Sequence, residues 1–575
     1  MSRAEKRAVV IGGGFAGLSA AVDLADAGWR VTVVEKGREL GGRARSFPDP
    51  TPGAPLDNGQ HVFIGAYRAT FRFLERLGTR GLVAMQSRLD VAFAEPGGRR
   101  SRMACPVLPS PFHLLGGAWR LATLTWRDRL ALLRMASALG GGNGINGLTV
   151  TEWLDRHGQT DALKARVWYP LAVATLNDDP RLSAAALFAT VLREGFLESR
   201  EAARIGIATV GLSDLYTTAA RGAVEQAGGR VLVNSHAEAI ETEGGRASGV
   251  RLRDGTRLPA DVVIAAVPHA TLPSLLPERW AAHATFAALA RLDHSPILAI
   301  HLWLDRPVLD ELFVGLIGTR VQWVFNRGRI LGRAGEEGRF LNLVISGARE
   351  EIAWEPDRIL SAAMADLGAC LPAARGAKIL QSVILREPGA TLAPAPGTTA
   401  LRPEPRAPLP GLFLAGGVGP DGPRPAGHHR KRGADRPGLR GAGGGGMTDK
   451  EFLALVKERR LLGWLWADTP EQAISAGTAA AEAGLTILEV PMTMTGAGEV
   501  IAALARVPGL VVGAGAILDL ALARTACRAG AAFLAASHTE RGLLKYGRRR
   551  KRPTLLGGAT PTEVYEAWRL GAAAV

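Results

Sequence analysis

Three glycines and one acid near the start of the chain are spaced as a phosphate cradle needs them. Gly12, Gly14 and Gly17 lie in the run Gly12-Gly13-Gly14-Phe15-Ala16-Gly17, and Glu35 follows eighteen positions after the last of them. In a G-x-G-x-x-G turn, the first glycine permits the tight bend. The second lets the backbone approach a pyrophosphate with no Cβ in the way, and the third lets a helix pack closely on a strand. Phe15 and Ala16 would open that helix, whose free N–H groups and positive dipole end attract phosphate. Glu35 is placed to accept hydrogen bonds from a ribose diol.

The chemistry depends on flanking elements, and the sequence supplies them. Arg7-Ala8-Val9-Val10-Ile11 is an apolar strand before the glycines, and Arg30-Val31-Thr32-Val33-Val34 is a second one ending at Glu35. A strand–turn–helix–strand unit with the acid in register predicts a Rossmann-like α/β dinucleotide site.

Beyond Glu35, the run Lys36-Gly37-Arg38-Glu39-Leu40-Gly41-Gly42-Arg43 resembles the E-x-x-x-x-x-G-G-R extension of the flavin amine oxidase and phytoene desaturase superfamily. In that superfamily the Gly-Gly-Arg segment lies along the cofactor. The resemblance implies FAD and adds Lys36, Gly42 and Arg43 to the cofactor-binding candidates. Leu56-Asp57-Asn58-Gly59-Gln60-His61, with Gly65-Ala66-Tyr67, and Trp168-Tyr169-Pro170-Leu171, with Ala174-Thr175-Leu176-Asn177, are similar to stretches of the hydroxysqualene dehydroxylases, also called squalene-associated FAD-dependent desaturases. Gly211-Leu212-Ser213-Asp214-Leu215, the run from Asp261 to Pro268, and Pro410-Gly411-Leu412-Phe413-Leu414-Ala415-Gly416 match superfamily elements of the FAD domain. The similarity runs from about residue 7 to Gly416 and adds Gly59, Ala415 and Gly416 as cofactor contacts.

What this family implies is reductive removal of the hydroxyl of hydroxysqualene to give squalene, in bacterial hopanoid synthesis. Reduced FAD would deliver hydride to an allylic, cation-like carbon while an acid helps the hydroxyl depart. Asn58, Gln60, His61 and Asn177 are the polar residues of the family-like segments. His61 and Asn177 are the catalytic candidates, although a His or Asn beside a glycine loop more often holds the loop than moves a proton. A phytoene desaturase-like or an amine oxidase-like flavoenzyme is the alternative, and the electron donor is open.

These expectations require an FAD domain from N-terminal, central and roughly 385–416 segments, with an α+β substrate domain from the pieces between. A squalenoid also needs a greasy tunnel and a way out of the bilayer. From Pro106 through Leu115 to Trp119, Leu121, Leu124 and Trp126 the chain is apolar, with Arg120, Arg127 and Arg129 interleaved. That composition suits a helix pair lying in a membrane interface, and equally an amphipathic pair lining the substrate domain.

The chain has 575 residues, of which 47% are hydrophobic, enough for several globular cores. It contains no apolar run of membrane-spanning length and enters its first strand without a signal-like segment, so a protein that is cytoplasmic or peripherally attached at the inner membrane is expected. Cys105, Cys370 and Cys527 are scattered and odd in number, forming neither a metal site nor a disulfide framework. The net charge of +15 gathers in two basic runs, 424–440 and 541–552, that lack interleaved aromatics, which argues against nucleic acid as a partner.

The first basic run interrupts the closing flavin motif. In the family a strand and helix continue after Gly416; here Gly417-Val418-Gly419-Pro420 leads to Gly427-His428-His429-Arg430-Lys431-Arg432. Codons compatible with Gly427 to Arg436, read one nucleotide later, can spell Ala-Thr-Ile-Glu-Ser-Ala-Val-Arg-Thr-Gly, nearly the family motif. A frameshift near Gly417 is the hypothesis, and resequencing the locus tests it. Residues 1–416 are therefore read as the oxidoreductase and 417–446 as a Gly/Pro/Arg-rich linker.

Residues 447–575 read as a separate unit in which short apolar strands alternate with alanine-rich helices, the pattern of a (β/α) barrel. Ala467-Asp468-Thr469-Pro470-Glu471, Ile487-Leu488-Glu489-Val490, Val512-Gly513-Ala514-Gly515 and Ala559-Thr560-Pro561-Thr562-Glu563 resemble the 2-keto-3-deoxy-6-phosphogluconate / 4-hydroxy-2-oxoglutarate aldolases. Glu489 matches the carboxylate that transfers protons in class I aldolases. Trp466 replaces the usual arginine, and the family's Schiff-base lysine is not reached, so an incomplete barrel is expected. A bifunctional fusion without working lyase chemistry is then one alternative, and a read-through product with neither half active is another.

Overall fold

The computed structural model describes residues 6–47, 56–119, 121, 123–140, 145–416, 447–459, 461–538, 541–557, 567 and 569–574. The chain divides into two units, 1–427 and 428–575. The 417–446 segment, with the frameshift reading, lies outside the described residues, as do Arg120 and the Ala559–Glu563 motif.

The first unit is built on a five-stranded parallel sheet. Arg7–Ile11 lies at its centre between Arg30–Val34 and Val262–Ala265, with Arg230–Leu232 and Leu412–Leu414 at the edges. Val9, Val10, Val31, Val33 and Val263 are almost fully buried, as expected for a parallel sheet covered on both faces. The helices Phe15–Asp26 and Leu212–Gln226 bury Leu18, Ala21, Val22, Leu215 and Val224 beside it. The strands thus come from the start, middle and end of this unit. One detail differs from expectation: the strand Ile379–Leu392, partly assigned to this domain by the 385–416 boundary, instead edges a different sheet. Its long alternation lets it pair along almost all of His294–Leu304, which local pattern alone does not reveal.

That second sheet has seven strands, in the order Ile379–Leu392, His294–Leu304, Phe340–Ser346, Trp323–Asn326, Phe313–Leu316, Asp90–Glu95 and Arg99–Ala104. All pairs are antiparallel except Phe313–Leu316 with Asp90–Glu95. Because side chains alternate across a sheet, it has two apolar faces with different partners. Leu298, Ile300, Val314, Val324 and Leu343 pack on the helix Pro356–Cys370 through Ile359, Ala363 and Leu367. Phe93, Ile297, Phe313, Trp323, Phe325 and Val344 face a cavity. The cavity's other wall is helical, from Phe112–Trp119, Trp126–Gly140 and the segments around Trp168 and Phe196.

The second unit has five parallel strands in sequential order: Gly463–Trp464, Ile487–Pro491, Val511–Gly515, Leu534–Ala536 and Thr554–Leu556, with helices between them. Ala574 adds a bridge to Leu555. Among the described residues the sheet does not close, which agrees with the incomplete (β/α) barrel expected. Among them also, no helix is long and apolar enough to cross a membrane.

Candidate functional site

The glycine turn has the geometry its spacing implies. Gly12 has φ +107°, and a Cβ there would stand 2.5 Å from the Ala266 carbonyl oxygen. A Cβ on Gly17 would meet the Gly12 oxygen at 1.9 Å, so helix and turn touch where only glycine fits. Gly14 differs, since a Cβ on it would find nothing closer than the Gly41 oxygen at 3.8 Å. Gly14 is the N-cap of Phe15–Asp26, and no side chain caps it. The helix mouth is therefore open, and its first-turn N–H groups face space an anion can fill.

Glu35 does more than the sequence predicts. Its two carboxylate oxygens accept the N–H groups of Gly13 at 2.8 Å and Gly37 at 2.7 Å. It ties the glycine turn to the following loop, and each oxygen keeps a lone pair for a ribose hydroxyl. Gly41 bridges to Gly14 and donates its N–H to the Gly13 oxygen. The Tyr216 hydroxyl shares its proton between the Gly41 and Ala44 oxygens. Gly42 and Arg43 are thereby held against the turn, while Lys36 is exposed. Ala415 donates its N–H to the Ala265 oxygen, and Gly416 packs on Ala16 at the helix mouth. Gly12, Gly14, Phe15, Ala16, Gly17, Glu35, Gly42, Arg43, Ala415 and Gly416 thus converge. A dinucleotide fits this cradle by its open Gly14 face and uncapped helix.

Asp57 is the buried hub that carries the next segment. It is 2% exposed. One oxygen accepts from the Ser46 hydroxyl and from the Leu212 N–H at the mouth of Leu212–Gln226, and the other accepts from Arg327 at 2.8 Å. Arg327, 1% exposed, also donates to the Gln60 side-chain oxygen at 2.8 Å. Its own burial lowers its affinity for the proton, while Asp57 opposes that shift. Asn58 donates to the Arg43 oxygen and accepts from the Arg45 N–H. Asn58 and Gln60 are therefore committed to holding the loop, the bland reading of polar residues there. Gly59 faces open space, with nothing within 4 Å of a Cβ built on it.

Of these residues, Asn58, Gly59 and Gln60 border a cavity of about 660 Å³, lined mainly by apolar side chains. His61 borders it. Its Nδ1–H donates to the Gly59 oxygen at 3.2 Å, and burial pushes its proton affinity below the ordinary imidazole value, so the ring is neutral at pH 7. Asn177 also lines the cavity. It ends the helix Tyr169–Leu176 in the left-handed conformation, and its side-chain oxygen accepts weakly from the Ser346 hydroxyl at 3.4 Å. Two π-helical segments, Lys164–Trp168 and Leu192–Leu197, turn Val167, Trp168, Leu192 and Phe196 into the cavity. Such local widening is common at functional sites.

Arg327, Trp323, Glu387 and Thr391 are site residues the sequence reading missed. Arg327 lies 270 positions from its partner Asp57, and no local pattern links them. Glu387-Pro388-Gly389 did carry a signal, because Pro and Gly inside an apolar strand mark a bulge. Glu387 pairs with Ile297 and Thr391 with Ser295, so three residues on one strand, Pro388 to Ala390, lie opposite one on the other. The bulged Gly389 and Ala390 carbonyls accept from Arg43, at 3.4 Å and 3.0 Å.

In the second unit, Glu489 lies on Ile487–Pro491, across from Gly513. Its carboxylate occupies the space above Gly515, where a Cβ would meet it at 1.8 Å, and burial raises its proton affinity. Trp466 is exposed, and so is Lys545 on the basic helix Arg541–Arg550.

Residues 15–417 match the flavin containing amine oxidoreductases, and residues 453–575 match the KDPG and KHG aldolases. The chain is 28% identical over 432 residues to a 15-cis-phytoene desaturase of Narcissus pseudonarcissus, a match covering 71% of this chain and 74% of that protein. It is 29% identical over 415 residues to a hydroxysqualene dehydroxylase of Rhodopseudomonas palustris, covering 71% and 91%. Among solved structures, an oxidoreductase from Methanosarcina mazei superposes with a TM-score of 0.56 at 18% identity, covering 72% of this chain and 95% of that one. A cyclohexylamine oxidase from Brevibacterium oxydans gives 0.52 at 19%, covering 71% and 92%. Both likenesses concern the fold.

Proposed function

Because the chain belongs to the flavin-containing amine oxidoreductase family, we propose that its first unit binds FAD and reductively removes the hydroxyl of a squalenoid alcohol, hydroxysqualene, to give squalene for hopanoid synthesis. The observation that carries this reading is the cavity: an apolar chamber of about 660 Å³ that meets the open glycine cradle at Arg43, Ala44 and Gly59 and holds few polar groups. A hydrocarbon with one hydroxyl matches that balance, since apolar lining binds it by area while scarce polar atoms orient it. The 29% identity to a hydroxysqualene dehydroxylase supports the same choice.

When bound, FAD supplies the hydride. The protein's residues do the rest. The amides at the mouth of Phe15–Asp26 hold the pyrophosphate, Glu35 holds the ribose, Arg43 and Gly59 position the ring, and the apolar walls exclude water. The second reading is a phytoene desaturase-like reaction, favoured by the 28% identity to such an enzyme.

The reading extends to a bilayer as the source of substrate. Phe112 and Trp126 are 60% and 66% exposed, and Leu130 and Leu133 are also exposed, on the same two helices whose Leu114, Leu115, Leu132 and Met135 line the cavity. Arg129 lies over the rings of both Trp119 and Trp126, a basic and aromatic edge suited to headgroups.

The test is direct. Purified protein, reconstituted with FAD and reduced by dithionite without oxygen, is expected to convert hydroxysqualene to squalene, read by gas chromatography, and to leave phytoene unchanged. Phytoene desaturation by the oxidised enzyme, with no squalene formed, would establish the second reading instead.

A further inference from the structure

Glu387 is the one carboxylate among the described residues that line the cavity. No hydrogen bond or ion pair holds it among the described residues. Several other polar groups there are occupied. Gln60 is held by Arg327, Arg166 by Glu95 with two contacts of 3.0 and 3.1 Å, and Thr175 by the Leu171 oxygen. A half-buried carboxyl on the wall of an apolar chamber, with both oxygens uncommitted, is available to a ligand there.

The fold places this carboxyl with care. The bulge after Glu387 gives both Glu387 and Thr391 to the cavity, and the Thr391 hydroxyl is buried with no partner among the described residues. The same bulge offers its Gly389 and Ala390 carbonyls to Arg43. Glu387 therefore stands two residues from the carbonyls that bind the Gly-Gly-Arg segment, at the cradle end of the chamber. Bulges commonly re-aim side chains beside active sites.

Resting on the proposed dehydroxylation, we propose that Glu387 is the catalytic acid, its carboxyl delivering a proton to the substrate hydroxyl as the C–O bond breaks, with Thr391 orienting the same oxygen. The C–O bonding pair leaves with the oxygen, which takes the Glu387 proton and departs as water. Carbon gains a hydride from reduced FAD, so the alcohol is reduced by two electrons while the flavin is oxidised by two. Solvent returns the proton to the carboxylate. An external two-electron reductant, dithionite in the test, restores the flavin.

The alternatives within the cavity are poorly suited to give up a proton. His61 is neutral, and with Nδ1–H on the Gly59 oxygen its Nε2 is an acceptor. Asn177 has no acidic proton, and burial raises the Tyr67 phenol above its ordinary value.

The experiment compares wild type, E387Q and E387D in single turnovers with dithionite-reduced FAD. E387Q is expected to form squalene about 10²–10⁴-fold more slowly, the usual range for a lost acid, while E387D keeps a measurable part of the rate. A leaving group that needs no proton separates chemistry from folding. The methyl carbonate ester of hydroxysqualene departs as an anion, and E387Q is expected to reduce it within about tenfold of the wild-type rate, since only general-acid assistance is missing. The flavin absorption change on adding hydroxysqualene to the oxidised protein should be the same in E387Q and wild type, showing that binding survives. Wild-type turnover of the alcohol by E387Q, or equal impairment on alcohol and ester, overturns this assignment alone. Absence of squalene from the wild type overturns the proposed function and this assignment together.

Discussion

Asp57 shows how much one residue can decide. It satisfies a serine hydroxyl, a helix N-terminus and an arginine, all away from water. Two buried charges in such an arrangement stabilise only as a pair, because removing one leaves the other desolvated and uncompensated. R327M is therefore expected to destabilise the first unit by about 3–5 kcal/mol, measured by urea denaturation. The double variant D57N/R327M should recover part of that loss, and additive losses would show that the two residues are not coupled. The motif around Asp57 was legible in the sequence as a family-like segment, but its reason was not. Asn58, Gln60 and His61 read as groups that could address a substrate oxygen, whereas the structure spends Asn58 and Gln60 on the loop and keeps His61 neutral.

Among the elements, the helices Phe112–Trp119 and Trp126–Gly140 present two faces with different destinations. Their inner residues line the cavity, and their outer residues Phe112, Trp126, Leu130 and Leu133 meet solvent. Exposed aromatic and aliphatic side chains beside arginines are what an interfacial helix needs. The wild-type protein is expected to sediment with vesicles containing anionic lipid. The F112S/W126S/L130S variant should lose most of that binding while still taking up FAD. Equal sedimentation of both proteins would return the pair to the simpler role of wall. Residue pattern alone offers no means of choosing between these roles, because an apolar stripe looks the same whether it lines a chamber or meets lipid. The strand Ile379–Leu392 carries a comparable lesson: its Pro388-Gly389 bulge is readable locally, but its pairing with His294–Leu304 is set by a partner some ninety residues away.

At the scale of the whole molecule, the two units carry unequal chemistry. The first brings cradle, cavity and an acid together. In the second, Glu489 is half-buried beside Gly515, yet the strands contain no lysine among the described residues, and Lys545 lies exposed on a helix. Borohydride added with pyruvate is therefore expected to leave the intact mass unchanged, since Schiff-base trapping needs an amine in reach of the bound ketone. A gain of one reduced pyruvate on a lysine would restore the lyase reading. The sequence by itself determined the nucleotide turn and the alternating strands of the second unit, because spacing over some thirty residues obeys local rules of glycine, helix and strand. Only the tertiary structure decided which polar side chains are spent on the fold and which, Glu387 and Thr391 among the described residues, stand free in the chamber, because burial and partnership depend on residues far apart in the chain.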